Sequence, residues 1–297
     1  MIKFFEICVN KYSAEHTFNV FWPASIDNPK DNAVMFITEG NMNKVSNFSK
    51  ASNCLVYWPN NIEIPEAIIN SHVFMKCNNP HLEFCRFFHT NTITNKPLLC
   101  EYRILNGAFI SVHAKIGSNT VLFPGVYIDS NVVIGDSVFI GSGTKILGNV
   151  RIGDNVVIRE NTVIGADGLT TDRDENGKAI SMPQFGGIII ENNVEIGANT
   201  VIARAAIDNT IIQSGSKIDN CCFISHNVNI GEDTFIVGET IMFGSSSTGK
   251  QVYISGNSTI RNGIHIGDRA VIGMGSVVTK SVQDGCTVMG NPAKEHQ

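Results

Sequence analysis

A period of six residues runs through the second part of the chain, from Ile110 to Val278. Ile leads 21 of its 25 hexads, and the fourth residue after each lead is small or β-branched. A helix repeats every 3.6 residues and a strand every two, so this period fits short strands joined by tight corners. Hexads of this kind are typical of a parallel β-helix, three to a coil, with the lead residue inside. Gly often follows the lead, as at Gly117 and Gly135, and we expect positive φ there.

The first 106 residues carry no hexads and hold both Trp residues. Apolar runs at 33–37 and 54–57 predict buried strands, and helices are predicted at 41–51 and from Pro80 onwards. We therefore predict a small α/β domain over residues 1–106, followed through a connection at 91–108 by a mainly β domain over 107–297. The hexads break at 170–189, a polar stretch with Gly and Pro that predicts an excursion loop. Such loops often carry binding residues.

Charge and cysteine usage exclude several classes of protein. The net charge is −5 and no basic run is present, which argues against a nucleic-acid or acidic-membrane surface. No stretch approaches the roughly 20 apolar residues of a membrane span, and the N-terminus shows no signal-peptide pattern. The eight Cys form no CxxC pair and no zinc-like spacing with His. We expect reduced thiols in a cytoplasmic protein, no bound metal, and a buried thiol at Cys222.

Two places in the repeat carry polar groups that the coil does not need. His226 occupies the third place of its hexad, so it lies near a corner, where a pKa near 6.5 suits a general base. A solvated surface histidine is the alternative at this point. The C-terminal stretch 273–294 combines Gly backbone with Lys280 and Lys294, which could hold a phosphate-bearing ligand. A capping turn explains that stretch equally well.

Several segments resemble one family, the UDP-3-O-acylglucosamine N-acyltransferases of lipid A synthesis, and its relatives that N-acylate amino sugars for surface polysaccharides. The resemblance spans nearly the whole chain. The segments that carry it are Asn79–Arg86, Ile164–Gly168, Met182–Gln184, Phe185–Gly187, Val194–Thr200, Asp208–Ile212, Lys217–Asn220, Ser225–Val228 and Ile230–Gly231.

The resemblance implies a left-handed β-helix and a homotrimer with active sites between subunits. It makes His226 the general base and Gly244 the backbone N–H donor for the oxyanion, with Asp219 orienting or balancing His226. It makes Phe36 and Asn227 contacts of the nucleotide sugar. No bound cofactor is implied, because the acyl thioester is a co-substrate.

Two departures from the family concern the acceptor. Met42 stands where the family has a Tyr near the nucleotide base, and the family's Ile-Asp-Arg-Gly reads Ile202-Ala203-Arg204-Ala205. These differences bear on which amino sugar is bound, and less on the chemistry.

The donor is predicted from the C-terminal sequence. Gly290–Lys294 resembles the ending of hexapeptide acetyltransferases that use acetyl-CoA, which implies donor contacts at Gly275, Lys280, Pro292 and Lys294. Our first hypothesis is a sugar-nucleotide N-acyltransferase that moves a short acyl group from acyl-CoA to the amine of a nucleotide-linked amino sugar, for lipopolysaccharide, O-antigen or another surface glycan. The alternatives are a lipid A enzyme that uses a hydroxyacyl group on acyl-carrier protein, and a non-catalytic β-helix scaffold.

Overall fold

The computed structural model describes residues 4–91 and 101–295. The chain forms two compact units, the first from residues 1–98 and 169–185, the second from 99–168 and 186–297. The excursion loop therefore belongs mainly to the first unit, although its sequence interrupts the hexads of the second. The boundary at 106/107 stays a prediction. Residues 92–100, half of the predicted connection at 91–108 and including Cys100, lie outside the described residues.

The second unit is the predicted parallel β-helix. Most of the short strands end on a hexad lead. Outside the two breaks of the repeat, partners in register are 18 residues apart, as in the pairs Ile128 with Ile146 and Ile146 with Ile164. The lead residues thus stack in columns, and nearly all are fully buried. Burial of an Ile side chain contributes roughly 1.5–3 kcal/mol, so the stacked columns supply the main stabilisation of the prism.

Three sheets form the faces of the β-helix. Face 1 contains Val121–Leu122, Phe139–Ile140, Val157–Ile158, Glu195–Ile196, Lys217–Ile218, Phe235–Ile236, Tyr253–Ile254, Val271–Ile272, Thr287–Met289 and Lys294–Glu295. Face 2 contains Tyr102–Leu105, Ala108–Ser111, Tyr127–Ile128, Lys145–Ile146, Val163–Ala166, Val201–Ala203, Phe223–Ile224, Ile241–Met242, Thr259–Ile260 and Val277–Val278. Face 3 contains Lys115–Ile116, Val132–Ile134, Val150–Ile152, Gly187–Ile190, Asn209–Ile212, Asn229–Ile230, Ser247–Thr248 and His265–Ile266. Pairing is parallel except at the two ends, where Tyr102–Leu105 and Lys294–Glu295 pair antiparallel.

The expectation of positive φ at the Gly after the lead is wrong for Gly117 and Gly135. The constraint there is steric, because a Cβ on Gly117 would lie 2.4 Å from the carbonyl oxygen of Gly135 in the next coil. The left-handed residue comes two positions later and is often Asn, as at Asn119 with φ 57° and Asn155 with φ 57°. Asn tolerates this conformation because its short polar side chain bonds locally. The predicted buried thiol at Cys222 is confirmed.

The first unit is the predicted small α/β fold. A parallel sheet contains Trp22–Pro23, Ala33–Phe36, Cys54–Pro59 and His72–Cys77, and a two-stranded antiparallel sheet pairs Ile7–Cys8 with Asn19–Val20. The helices are the 3-10 helices Val9–Lys11 and Glu39–Lys50, and the α-helices α1 (Glu66–Ile69) and α2 (Pro80–Asn91). The excursion adds an antiparallel hairpin of Thr171–Arg173 and Ala179–Ser181. In the described part of the chain no helix has the length and apolar character needed to cross a membrane.

Candidate active site

His226 lies in the turn between the face 2 strand Phe223–Ile224 and the face 3 strand Asn229–Ile230. Its imidazole is held between Gly244 of the next coil and Gly168 at the start of the excursion. A Cβ on Gly244 would lie 2.6 Å from the Cε1 and 2.7 Å from the Nε2 of the ring, and a Cβ on Gly168 would lie 2.7 Å from the Cβ of His226. Any larger residue at either position would displace the imidazole.

The surroundings of His226 keep its imidazole neutral. The side chain is half-buried rather than freely solvated, and its Nδ1 is buried with no hydrogen-bond partner among the described residues. Burial lowers the pKa of His226 below its ordinary value of 6.5, since desolvation disfavours the charged form. At neutral pH the ring is therefore a free base.

Gly244 supplies a free backbone donor next to this base. Its carbonyl accepts the N–H of Gly263 at 3.1 Å, but its own N–H donates to no acceptor in the described part of the chain. A neutral imidazole beside a free N–H can remove a proton from a nucleophile and stabilise a developing oxyanion. The structure thus brings His226 and Gly244 together, and their roles as base and oxyanion donor stay a prediction.

Asp219 does not lie beside His226 within one chain. It occupies the turn between faces 1 and 2, whereas His226 occupies the turn between faces 2 and 3. The carboxylate accepts the N–H of Gly238 at 3.1 Å and the side-chain amide of Asn220 at 2.9 Å. It lines an open groove of ≈ 410 Å³ on face 1.

Asn227 uses its side chain to hold the turn. Its backbone is left-handed with φ 59°, its Oδ1 accepts the N–H of Ala206 at 3.0 Å, and its Nδ2 donates to the Oγ of Ser245 at 3.4 Å. A contact with the nucleotide sugar stays a prediction for this residue.

Phe36 lies at the end of a strand in the first unit and is half-buried. Its ring centroid is 5.3 Å from that of His81 and 4.7 Å from that of Phe84. The Nδ1 of His81 is 2.9 Å from the Oδ2 of Asp172 in the excursion hairpin. Met42 packs against the apolar core of this unit. The nucleotide contact of Phe36 stays a prediction.

The predicted donor residues gather near the last coils of the β-helix. Gly275 is exposed and left-handed, with φ 66°. The C-terminal segment folds back, so that Ala293 donates its N–H to the carbonyl of Val277 and the exposed Lys294 pairs with Met289. Pro292 is exposed in the same segment.

Lys280 lies on a different edge of the prism from the other donor candidates. It is exposed in the turn after the face 2 strand Val277–Val278. His226 lies on the same edge. Lys280 is three coils further along the prism, a distance of roughly 14 Å along its axis.

Sequence reasoning missed two residues at this site. Gly168 falls in the segment Ile164–Gly168 and Arg204 falls in a departure from the family, and neither was predicted as a site residue. The contact of Gly168 with His226 could not be found from spacing, because the excursion loop lies between them in sequence. Arg204 carried a weak signal in the sequence, a charged residue between two alanines, Ala203 and Ala205.

The fold and the hexads define the class of the protein. Residues 113–148, 131–166 and 245–280 match the family "Bacterial transferase hexapeptide (six repeats)". The UDP-N-acetylglucosamine acyltransferase from Campylobacter jejuni shares the fold with a TM-score of 0.59 at 21% identity, over 65% of this chain and 74% of that chain. This is the left-handed parallel β-helix of the hexapeptide transferases, as the resemblance implied.

The curated relatives then identify the family. The UDP-3-O-acylglucosamine N-acyltransferase of Helicobacter hepaticus is 40% identical over 223 residues, which cover 73% of this chain and 68% of the relative. The chain belongs to the UDP-3-O-acylglucosamine N-acyltransferase family. The protein of that name from Wolinella succinogenes is 38% identical over 136 residues, 46% of this chain. Several of the curated relatives are matched over only 40–43% of their own length. These names favour our alternative hypothesis, the lipid A type of enzyme, over transfer of a short acyl group from acyl-CoA.

Proposed function

We propose that the protein transfers an acyl group from a thioester to the amine of a nucleotide-linked amino sugar, with UDP-3-O-acylglucosamine as the acceptor. One observation carries the proposal, the neutral and half-buried imidazole of His226 packed against Gly244, whose N–H is free. The family membership supports the choice of acceptor.

The residues have complementary roles in the proposed reaction. The amine nitrogen attacks the thioester carbonyl while His226 removes its proton, which gives a tetrahedral intermediate. The N–H of Gly244 donates to the oxyanion, a contribution of about 2.7–4 kcal/mol for one such donor. The C–S bond then breaks, the imidazolium returns the proton to the leaving thiolate, and the products are an amide and a free thiol.

The position of Asp219 supports the proposed homotrimer. Because one chain places Asp219 and His226 on different edges of face 2, Asp219 would reach His226 from a second copy. Sites in the grooves between subunits would then take the base from one chain and the acid from the next.

Two donors fit the proposal. The family favours a hydroxyacyl group on acyl-carrier protein, with a product that enters lipid A synthesis. Acyl-CoA is the second candidate, because the folded-back segment 290–294 and the exposed Lys280 resemble a CoA-binding end. No cofactor is bound in either scheme. A cytoplasmic location stays a prediction.

The test compares His226→Ala with His113→Ala, an exposed histidine in an early turn of the same edge. Purified protein is assayed with UDP-3-O-acylglucosamine and with other UDP- and dTDP-amino sugars, against both donors. We expect His226→Ala to lose roughly 10²–10⁴-fold in kcat, the usual weight of a general base, with an unchanged fold and with His113→Ala at the wild-type rate.

The outcomes separate the hypotheses. Turnover with acyl-carrier protein supports the lipid A type of enzyme, and thiol release from acyl-CoA supports the short-acyl enzyme. Full turnover by His226→Ala would contradict the proposed mechanism. No turnover by the wild-type protein with any pair would favour the scaffold.

A further inference from the structure

The guanidinium of Arg204 is mostly buried and binds the main chain. Arg204 lies in the turn between Val201–Ala203 and Asn209–Ile212, on the edge that carries His226 and one coil before it. Only 17% of its side chain is exposed. Its Nε and Nη2 donate to the carbonyl of Gly165 at 2.9 and 2.7 Å, and Nη2 also donates to the carbonyl of Leu147 at 3.2 Å. The planar fork of Arg thus ties its own turn to the two coils before it.

The same side chain holds the segment 165–168, which ends on the imidazole. The Nε of Arg204 is 3.2 Å from the Oδ1 of Asp167, and the N–H of Arg204 donates to the carbonyl of Ala166 at 2.8 Å. A Cβ on Gly165, whose φ is 96°, would lie 2.1 Å from the carbonyl oxygen of Leu147. The segment is therefore held by Arg204 on one side and packs closely against Leu147 on the other. Gly168 follows directly after Asp167.

We propose that Arg204 is a positioning residue for His226, an inference that rests on the proposed acyl transfer: it holds Gly168 against the imidazole and so fixes the orientation of the base toward Gly244. Arg204 acts through Gly168. The buried and unpartnered Nδ1 of His226 fits a ring that is held by packing rather than by a hydrogen bond.

The electrostatic surroundings agree with a role in packing. The charged groups on the segment 165–168 and the turn 204–208 are Asp167, Arg204 and Asp208, and Arg204 pairs with Asp167. Desolvation is the cause that lowers the pKa of His226. Any change that moves Gly168 away from the imidazole lets water reach the ring, and the pKa of His226 is then no longer lowered by desolvation.

The test is a titration of the imidazole of His226 by NMR, with its Cε1–H signal assigned from the spectrum of His226→Ala. Arg204→Lys keeps the charge but replaces the planar fork by a point charge. We expect the midpoint of His226 to lie below 6.5 in the wild type and to move up toward about 6.5 in Arg204→Lys. We also expect kcat to fall about tenfold, while the KM of the donor is retained. The control is Arg151→Lys, because Arg151 is an exposed arginine on face 3. It should change neither the midpoint of His226 nor kcat.

Gly168→Ala is the second variant, because its methyl group would displace the ring directly. It should raise the midpoint as Arg204→Lys does, and the double variant should add little to either one, as expected for residues that act through one contact. An unshifted titration in Arg204→Lys would overturn the inference. If Arg204→Lys does not fold, an unshifted titration in Gly168→Ala overturns it instead. The titration needs no substrate, so a failure of the proposed acyl transfer would show separately, as absent turnover with a normal titration series.

Discussion

At the scale of single residues, the substitution Gly244→Ala tests the site by adding one methyl group beside the imidazole. A Cβ there would overlap the Cε1 and Nε2 of His226, so Gly244→Ala should tilt the imidazole and leave the rest of the coil in place. A displacement of about 1 Å can cost roughly 10²-fold in rate. We expect a fall in kcat of about that size, measured by steady-state kinetics with the thermal midpoint as a check on folding.

The control for this variant is Gly40→Ala in the first unit, where an added Cβ meets no atom within 4 Å. It should keep the wild-type kcat. A Gly244→Ala protein with full activity would show that the imidazole is not held as the structure places it.

The period of the repeat decides where Gly244 and Asp219 lie relative to His226. One hexad moves the chain to the next edge of the prism, and 18 residues return it to the same edge. Asp219 precedes His226 by about one hexad, so it must lie on another edge, whereas Gly244 follows by 18 residues and must lie beside it. The spacing therefore places Asp219 and His226 on different edges of one chain, which agrees with the sites between subunits that the resemblance implies. Gly168 could not be predicted, because a loop of irregular length separates it from His226.

At the scale of elements, the excursion hairpin is fastened to α2 by charged side chains. Asp172 accepts hydrogen bonds from Asn79 at 3.2 Å and His81 at 2.9 Å, and Glu175 pairs with Arg86. Burial acts to raise the pKa of Asp172, but hydrogen bonds from His81, the N–H of Arg173 and Asn79 lower it overall. A lowered carboxyl pKa means that the folded state favours the ionised form.

Asp172→Asn should therefore destabilise the first unit in a pH-dependent way. The contribution of the Asp172 carboxylate to the free energy of unfolding is complete above its pKa in the unfolded state, about 3.9. It is lost as pH falls through the lower pKa of the folded state. We expect a cost of about 1 kcal/mol at pH 7 that shrinks near pH 3, measured by urea unfolding at both pH values. Asp27→Asn, at an exposed pair with Lys44, is the control. An equal cost at both pH values would mean that the carboxylate charge is not involved.

The elements show where local sequence is sufficient. The apolar runs at 33–37 and 54–57 gave Ala33–Phe36 and Cys54–Pro59, and Pro80 begins α2 as predicted. The excursion was predicted as a loop, yet it contains a hairpin. Its strands are only three residues long, and their main partners on α2 are some 90 residues away in sequence. No local pattern contains such a contact.

At the scale of the whole molecule, the separation of Asp219 and His226 predicts that activity depends on two copies of the chain. We expect a trimer of 32.3 kDa chains by light scattering, and His226→Ala and Asp219→Ala proteins that are each impaired. If each site combines His226 of one subunit with Asp219 of the next, co-expressed variants will form some sites with both wild-type residues. Random mixing in equal amounts puts the two intact residues together in about one site in four, so about a quarter of the wild-type activity should return.

The matched control mixes His226→Ala with Gly244→Ala. The structure places these two residues in contact within one chain, so every mixed site inherits one defect and no activity should return. Restoration in the first mixture without restoration in the second would locate the boundary of the site, with His226 and Gly244 on one subunit and Asp219 on its neighbour. If neither mixture recovers activity although mixed trimers have formed, His226 of one subunit and Asp219 of the next do not act in a shared site.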